Sequence, residues 1–205
     1  DDPGMVEKIV AVNAQIAQLV ADGEPYAAVE RARERDALLT QAYLATHRPL
    51  EGEFRAVWEH SGQGTYTGDW DKTMRVLAEN GFNAIMPNTF WGGVAYHESE
   101  ILPVADLVAE KGGQVAQAVE AGERWGVQVH PWKVNFRLGR GTPQAFIDRM
   151  ADEGRLQRNF SGEQEPWLCP SHPENQELEV SSMVEVARKY GVAGVHFDYI
   201  RYPGP

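Results

Sequence analysis

Residues 194–203 read Gly194-Val195-His196-Phe197-Asp198-Tyr199-Ile200-Arg201-Tyr202-Pro203, a short apolar run opening into a carboxylate, two tyrosines and an arginine. Proline lacks the backbone N–H that a sheet ladder needs, so Pro203 marks the strand as already finished. In parallel β/α proteins the C-terminal strand ends face the site of chemistry. Asp198 is therefore the candidate catalytic carboxylate, as a nucleophile or as a stabiliser of developing positive charge. Arg201 could keep it ionised or bind substrate. A purely structural Asp198, bonded to loop amides or paired with Arg201, is the competing reading.

Three earlier strand ends carry similar equipment. The first is Trp58-Glu59-His60. The second is Pro87-Asn88, with Trp91 and Tyr96 beyond it. The third is His130-Pro131-Trp132-Lys133, with Asn135 and Arg137 following. Indole and phenol rings stack on the apolar faces of sugars, and amide, imidazole and guanidinium groups hydrogen-bond their hydroxyls. The expected glycan-binding set is Trp58, Asn88, Tyr96, His130, Trp132, Asn135, Arg137, Tyr199 and Arg201. Trp58 and Trp132 could equally cap the core, and His196 reads first as a satisfied core histidine. Glycoside hydrolysis commonly uses two carboxyl groups flanking the scissile bond. Glu59, Glu98 and Glu100 are the candidates within the chain for the second, which could also lie on a later strand. No His-Glu-x-x-His motif is present, so no metal or other cofactor is expected. A metal-dependent deacetylase remains an alternative, through convergence of scattered His and carboxylates. Cys169, between Leu168 and Pro170, has nothing nearby to activate a thiol.

The elements that must position these residues follow from periodicity. Met5, Ile9, Val12, Ile16 and Leu19 form one apolar helical stripe over residues 5–21. Gly23 and Pro25 punctuate it, and a second helix runs from Pro25 to about Ala45. Arg48-Pro49 and Gly52 mark a boundary, giving a helical hairpin over 1–50 and a main domain over 51–205. From residue 53 short strands alternate with amphipathic helices. Strands are expected at 54–58, 82–86, 127–130 and 192–197. Helices are expected from Asp69, capped by Asp69 or Thr67, through Val115 to Trp125, from Thr142-Pro143 to Glu153, and from Glu174 to Tyr190. Residues 87–103 read as a long aromatic loop and 154–173 as irregular. Four such units imply parallel βαβ connections. A full eight-stranded barrel needs about 250 residues, so the fold expected is the first half of a TIM-type barrel behind a helical hairpin. A self-contained open α/β sheet is the alternative.

Composition narrows the classes. The 205 residues are 42% hydrophobic and carry a net charge of −11. That balance opposes binding to a phosphate backbone. No apolar run reaches the roughly 20 residues of a membrane span. The opening Asp1-Asp2-Pro3-Gly4 has neither a basic nor an apolar leader region, so any export signal is expected to be already removed. One cysteine excludes an internal disulfide. Half a barrel would leave strand edges uncovered, inviting a homo-oligomer or the missing C-terminal half of the barrel.

Six segments in order resemble one family. Arg55-Ala56-Val57-Trp58 is similar to an opening Arg-Gly-Val-Trp strand. Phe82-Asn83-Ala84 falls where the second strand begins. The run Tyr96-His97-Glu98-Ser99-Glu100-Ile101-Leu102-Pro103 resembles a Tyr-x-Ser-x-x-x-Pro loop. Val129-His130-Pro131-Trp132 with Asn135 and Arg137 resembles His-Ala-Trp-x-Asn-x-x-Arg. Trp167-Leu168 with Pro170 and Pro173 resembles the loop before the fourth crossover helix, and Gly194 to Pro203 resembles the ending of strand four. Together they resemble the glycosyl-hydrolase-like family 10, bacterial (β/α)8 proteins acting on cell-surface or peptidoglycan-type glycans. The resemblance implies a glycoside hydrolase-like protein, a polysaccharide substrate and an extracytoplasmic location, periplasmic or secreted. A non-catalytic glycan-binding or scaffold protein of the same fold is the alternative. Two departures stand out. Asp198-Tyr199 replaces the family's paired aspartates and is closer to the Phe-Asp-Tyr-x-Arg-x-Pro of a neighbouring glycosyl-hydrolase-like family, and Cys169 stands where a polar residue is usual.

Overall fold

The computed structural model describes residues 3–46 and 50–203. Two compact units divide the chain, the first ending at Glu53 and the second beginning at Phe54. The leading Asp1-Asp2 and the expected Arg48-Pro49 boundary lie outside the described residues.

The first unit is an antiparallel hairpin of α1 (Pro3–Ala21) and α2 (Pro25–Thr46). Gly23, at φ 78°, makes the reversal that a side chain would resist. The α1 seam toward α2 is Met5, Ile9, Val12, Ile16 and Leu19. The α2 seam is Ala28, Arg31, Arg35, Leu38 and Ala42. Of these seam residues only Val12 and Ala28 are buried.

In the second unit, β1 (Ala56–Glu59), β2 (Ala84–Trp91), β3 (Gln128–Val129) with β4 (Trp132–Val134), and β7 (His196–Asp198) form one sheet. β3 and β4 are one physical strand interrupted at Pro131, which cannot donate. The backbone bonds His130 N to Ile85 O and His196 N to Pro131 O bridge the gap. Every pairing is parallel and the strands lie in chain order. A doubly wound sheet would reverse its order at a switch point. Chain order without reversal places all crossover helices on one face, as in half of a β/α barrel.

That face is packed. Trp70, Met74 and Leu77 of α3 (Trp70–Glu79), and Ala118 and Ala121 of α5 (Gln114–Trp125), close over Ile85 and Val129. Val115, Met183 and Val186, the last two from α7 (Pro173–Lys189), close over Phe90. The other face is open, with Phe54 and Trp58 exposed. Asp69 caps α3 by accepting from Lys72 N at 2.9 Å. Gly126 ends α5 in the left-handed conformation.

Several boundaries differ from the sequence expectation. β2 runs on to Trp91, through Pro87 and a bulge between Asn88 and Phe90, so the first five residues of the expected aromatic loop, 87–91, are strand. A short α4 (Asp106–Lys111) follows that loop. Thr142 does not cap α6 (Gln144–Asp152); its hydroxyl donates to Gly139 O and Pro143 takes the cap position. The stretch expected to be irregular contains an antiparallel hairpin, β5 (Leu156–Arg158) with β6 (Gln164–Leu168). β1 and β7 are shorter than the expected strands.

Candidate functional site

The register sets side chains into rows. Asn88 pairs with Trp132, Trp132 with His196, and Val134 with Asp198. Alternate residues share a face, so Trp58 and His60 emerge together, as do His196 and Asp198. On the open face Trp58, His60, Trp132, His196 and Asp198 line a cleft of about 260 Å³.

Aromatic contacts organise its walls. Trp58 Nε1 donates to His196 Nε2 at 3.2 Å, which requires that nitrogen to be unprotonated. The His60 ring meets Trp132 edge-on with centroids 4.8 Å apart, and His196 meets Trp132 similarly at 6.2 Å. Trp132 is buried, and its indole N–H has no acceptor among the described residues. Asp198 accepts from Tyr199 N at 2.7 Å through Oδ1. No ion pair joins it to Arg201 among the described residues: that guanidinium lies 4.8 Å from the Tyr199 ring and 5.6 Å from the Trp167 ring.

The remaining expected residues divide by environment. His130 sits on the same face, edge-on to Phe54 at 5.4 Å; burial, then the neighbouring His196, hold its imidazole below the usual value. Asn88 is buried and donates to Trp132 O at 3.1 Å, so it positions the cleft wall. Asn135 turns from the cleft and donates to Glu179 at 2.7 Å. Arg137, Tyr199 and Arg201 form a stacked patch with Trp167 beside the cleft. Tyr96 lies against Trp91 at 5.0 Å, away from the cleft lining. Of the carboxylates considered as partners for Asp198, Glu59 is buried under Ser61, Glu98 accepts from Tyr190, and Glu100 is exposed; none lines the cleft. Cys169 is free, half-buried and outside the cleft.

Sequence reasoning set His60 at a strand end but left it out of the glycan-binding set, and read His196 first as a core histidine; the two-residue period from Trp58 and Asp198 is the signal that places both on the cleft. It also missed the support beneath. Lys133 is fully buried, 2.9 Å from Glu179 and hydrogen-bonded to Ser182. Burial lowers the pKa of its ammonium and Glu179 draws it partly back. Glu179 also accepts from Asn135 Nδ2 and from Phe136 N at 3.0 Å. Phe136 (φ 62°) and Tyr199 (φ 54°) are the non-glycine residues with positive φ among the described residues. Each follows a strand end at the mouth of the cleft. Left-handed backbone costs about 1–3 kcal/mol and concentrates at functional sites.

Larger hollows lie elsewhere. One of about 470 Å³ adjoins the β5–β6 hairpin, and another of about 300 Å³ lies between Gly122 and Gly191, among the residues that precede the strands. Neither gathers the imidazole, indole and carboxylate groups of the cleft. Among the described residues no three His, Cys, Asp or Glu side chains converge well enough to hold a metal. No helix among them is long and apolar enough to cross a membrane.

The sheet is a singly wound parallel half-barrel with an aromatic cleft at its strand ends. The chain belongs to the glycosyl hydrolase-like 10 family, whose model matches residues 53–204. No curated protein matches it. Among solved structures it is similar to a noncanonic maltogenic alpha-amylase from Thermotoga neapolitana, at 13% identity and a TM-score of 0.49. That match covers 73% of this chain but only 40% of the amylase chain.

Proposed function

We propose that this protein acts on a bacterial cell-surface or other polysaccharide as a glycoside hydrolase, outside the cytoplasm, with Asp198 as the carboxylate at the scissile bond. The observation that carries this reading is the cleft itself: one carboxylate framed by two indoles and two imidazoles at the strand ends of a glycosidase-like fold. Trp58 and Trp132 would hold the sugar faces, and His60 and His196 its hydroxyls. Asp198, bonded through one oxygen to Tyr199 N, keeps the other oxygen for an oxocarbenium-like centre.

Asp198→Asn in the intact protein should abolish reducing-end release from peptidoglycan and other bacterial polysaccharides while leaving binding measurable. Unchanged turnover would remove Asp198 from that role. A second reading, glycan binding without cleavage, draws on Asp198 being the one carboxylate among the residues lining the cleft. It predicts saturable binding with no reducing ends released by the wild type.

A further inference from the structure

The helical hairpin carries an apolar face that its own packing does not use. One residue beyond each seam position lies about 100° further round the helix. On α1 those residues are Val6, Val10, Asn13, Ala17 and Val20; on α2 they include Val29, Ala32, Asp36 and Leu39. The helices are antiparallel, so the same rotation carries both stripes to one side of the hairpin. Val6, Val10, Val20, Val29 and Leu39 are between 46% and 64% exposed. The opposite side is polar, with Lys8, Gln15 and Gln18 on α1 and Glu30, Glu34 and Gln41 on α2. A heptad with apolar a and d positions alone makes a two-helix seam. Adding a third apolar position, as both helices do here, is the pattern of a bundle with more than two helices.

We propose that this face pairs with the same face of a second copy of the chain, completing a four-helix bundle. Dimensions support that occupant. A face two helices wide and about 28 Å long covers roughly 500 Å² in plan, of the same order as the ~800 Å² of accessible surface per partner in a standard interface. So does the one polar layer. Asn13 and Asp36 follow Val12 and Arg35, the middle positions of the two seams; Asp36 pairs with Arg35 of its own helix at 2.7 Å, and a two-fold axis parallel to the helices brings the amide of one copy to the carboxylate of the other. A single polar layer inside an apolar seam fixes register and partner number. A lipid surface fits less well, because it would have to take up the mid-face carboxylate of a chain with net charge −11. The proposal is independent of the glycan reading.

Sedimentation equilibrium of the 205-residue chain should give twice 22.8 kDa in the micromolar range. The double variant Val10→Glu/Leu39→Glu should dissociate at least about a hundredfold more readily, since each copy would bury two charges. Gln18→Glu on the polar side should leave the dimer unchanged. Replacing Asn13 and Asp36 together with Leu should tighten association about tenfold, because removing the whole buried polar layer raises stability while leaving no carboxylate unpartnered; loss of helix structure could not produce that direction. A monomeric wild type, or a dimer that persists in the double variant with its helix content intact, would overturn the proposal.

Discussion

His97 should make the second unit sensitive to mild acid. Its ring is fully buried, edge-on to Phe90 at 5.3 Å and to Tyr190 at 5.5 Å, and neither nitrogen has a partner among the described residues. Burial takes its pKa from 6.5 down to about 4; Glu185 and Glu98 oppose the fall, and Lys189 and Lys133 assist it. The folded protein therefore holds His97 neutral where the unfolded chain would take up a proton. Stability from this group is fully present above pH 6.5 and is lost as the pH falls toward 4. At about 1.36 kcal/mol per unit, the interval from 6.5 to about 4 amounts to ~3 kcal/mol. Every tryptophan lies beyond residue 57, so indole fluorescence reports the second unit alone. Urea titrations at pH 7 and pH 4 on the wild type and His97→Gln isolate the effect, because other carboxylates titrate in both. With a slope of about 2 kcal/mol per molar, the wild-type midpoint should fall about 1.5 M further than the variant's. Equal falls in the two proteins would refute the argument that a neutral, unpartnered imidazole is being protected.

Two further perturbations test the cleft and its support. Lys133→Met should destabilise the second unit by about 3–5 kcal/mol in urea unfolding, because Glu179 is left as an uncompensated buried charge; pairing it with Glu179→Leu should recover part of the loss. Trp132→Ala should cost about 3–5 kcal/mol, whereas Trp132→Phe should cost under about 1.5, since the indole N–H makes no hydrogen bond to lose. A phenylalanine variant as unstable as the alanine one would mean that the N–H has a partner after all.

Period and punctuation made six of the seven described helices and the four strands legible, α4 being the exception, and the alternation of the two pointed to a parallel sheet. What it hid has local causes. Pro87 reads as the end of β2 because it cannot donate to a ladder, yet the strand passes through it. Three residues later the bulge has moved Phe90 to the helix side, so alternation counted from Ala84 fails. The β5–β6 hairpin carries Pro166 and little alternation, leaving only the Ser161-Gly162 turn as a sign. Within the site, strand ends found Trp58, Trp132 and Asp198. Lys133 and Asn135 share a parity, and both reach Glu179. Counting by twos from Trp132 therefore separates Asn135 from the cleft lining.

The Glu179 contacts also bear on the order of folding. The turn after β4 is held by a carboxylate 43 positions further along the chain, so the N–H of the left-handed Phe136 lacks its partner until α7 has docked. Closing a loop of that length costs entropy that local contacts in the β4 segment do not return. A chain that has assembled β1 through β4 without α7 lacks both the β7 wall of the cleft, His196 and Asp198, and the shape of its rim. The rim and the buried ion pair beneath it therefore both depend on the docking of α7.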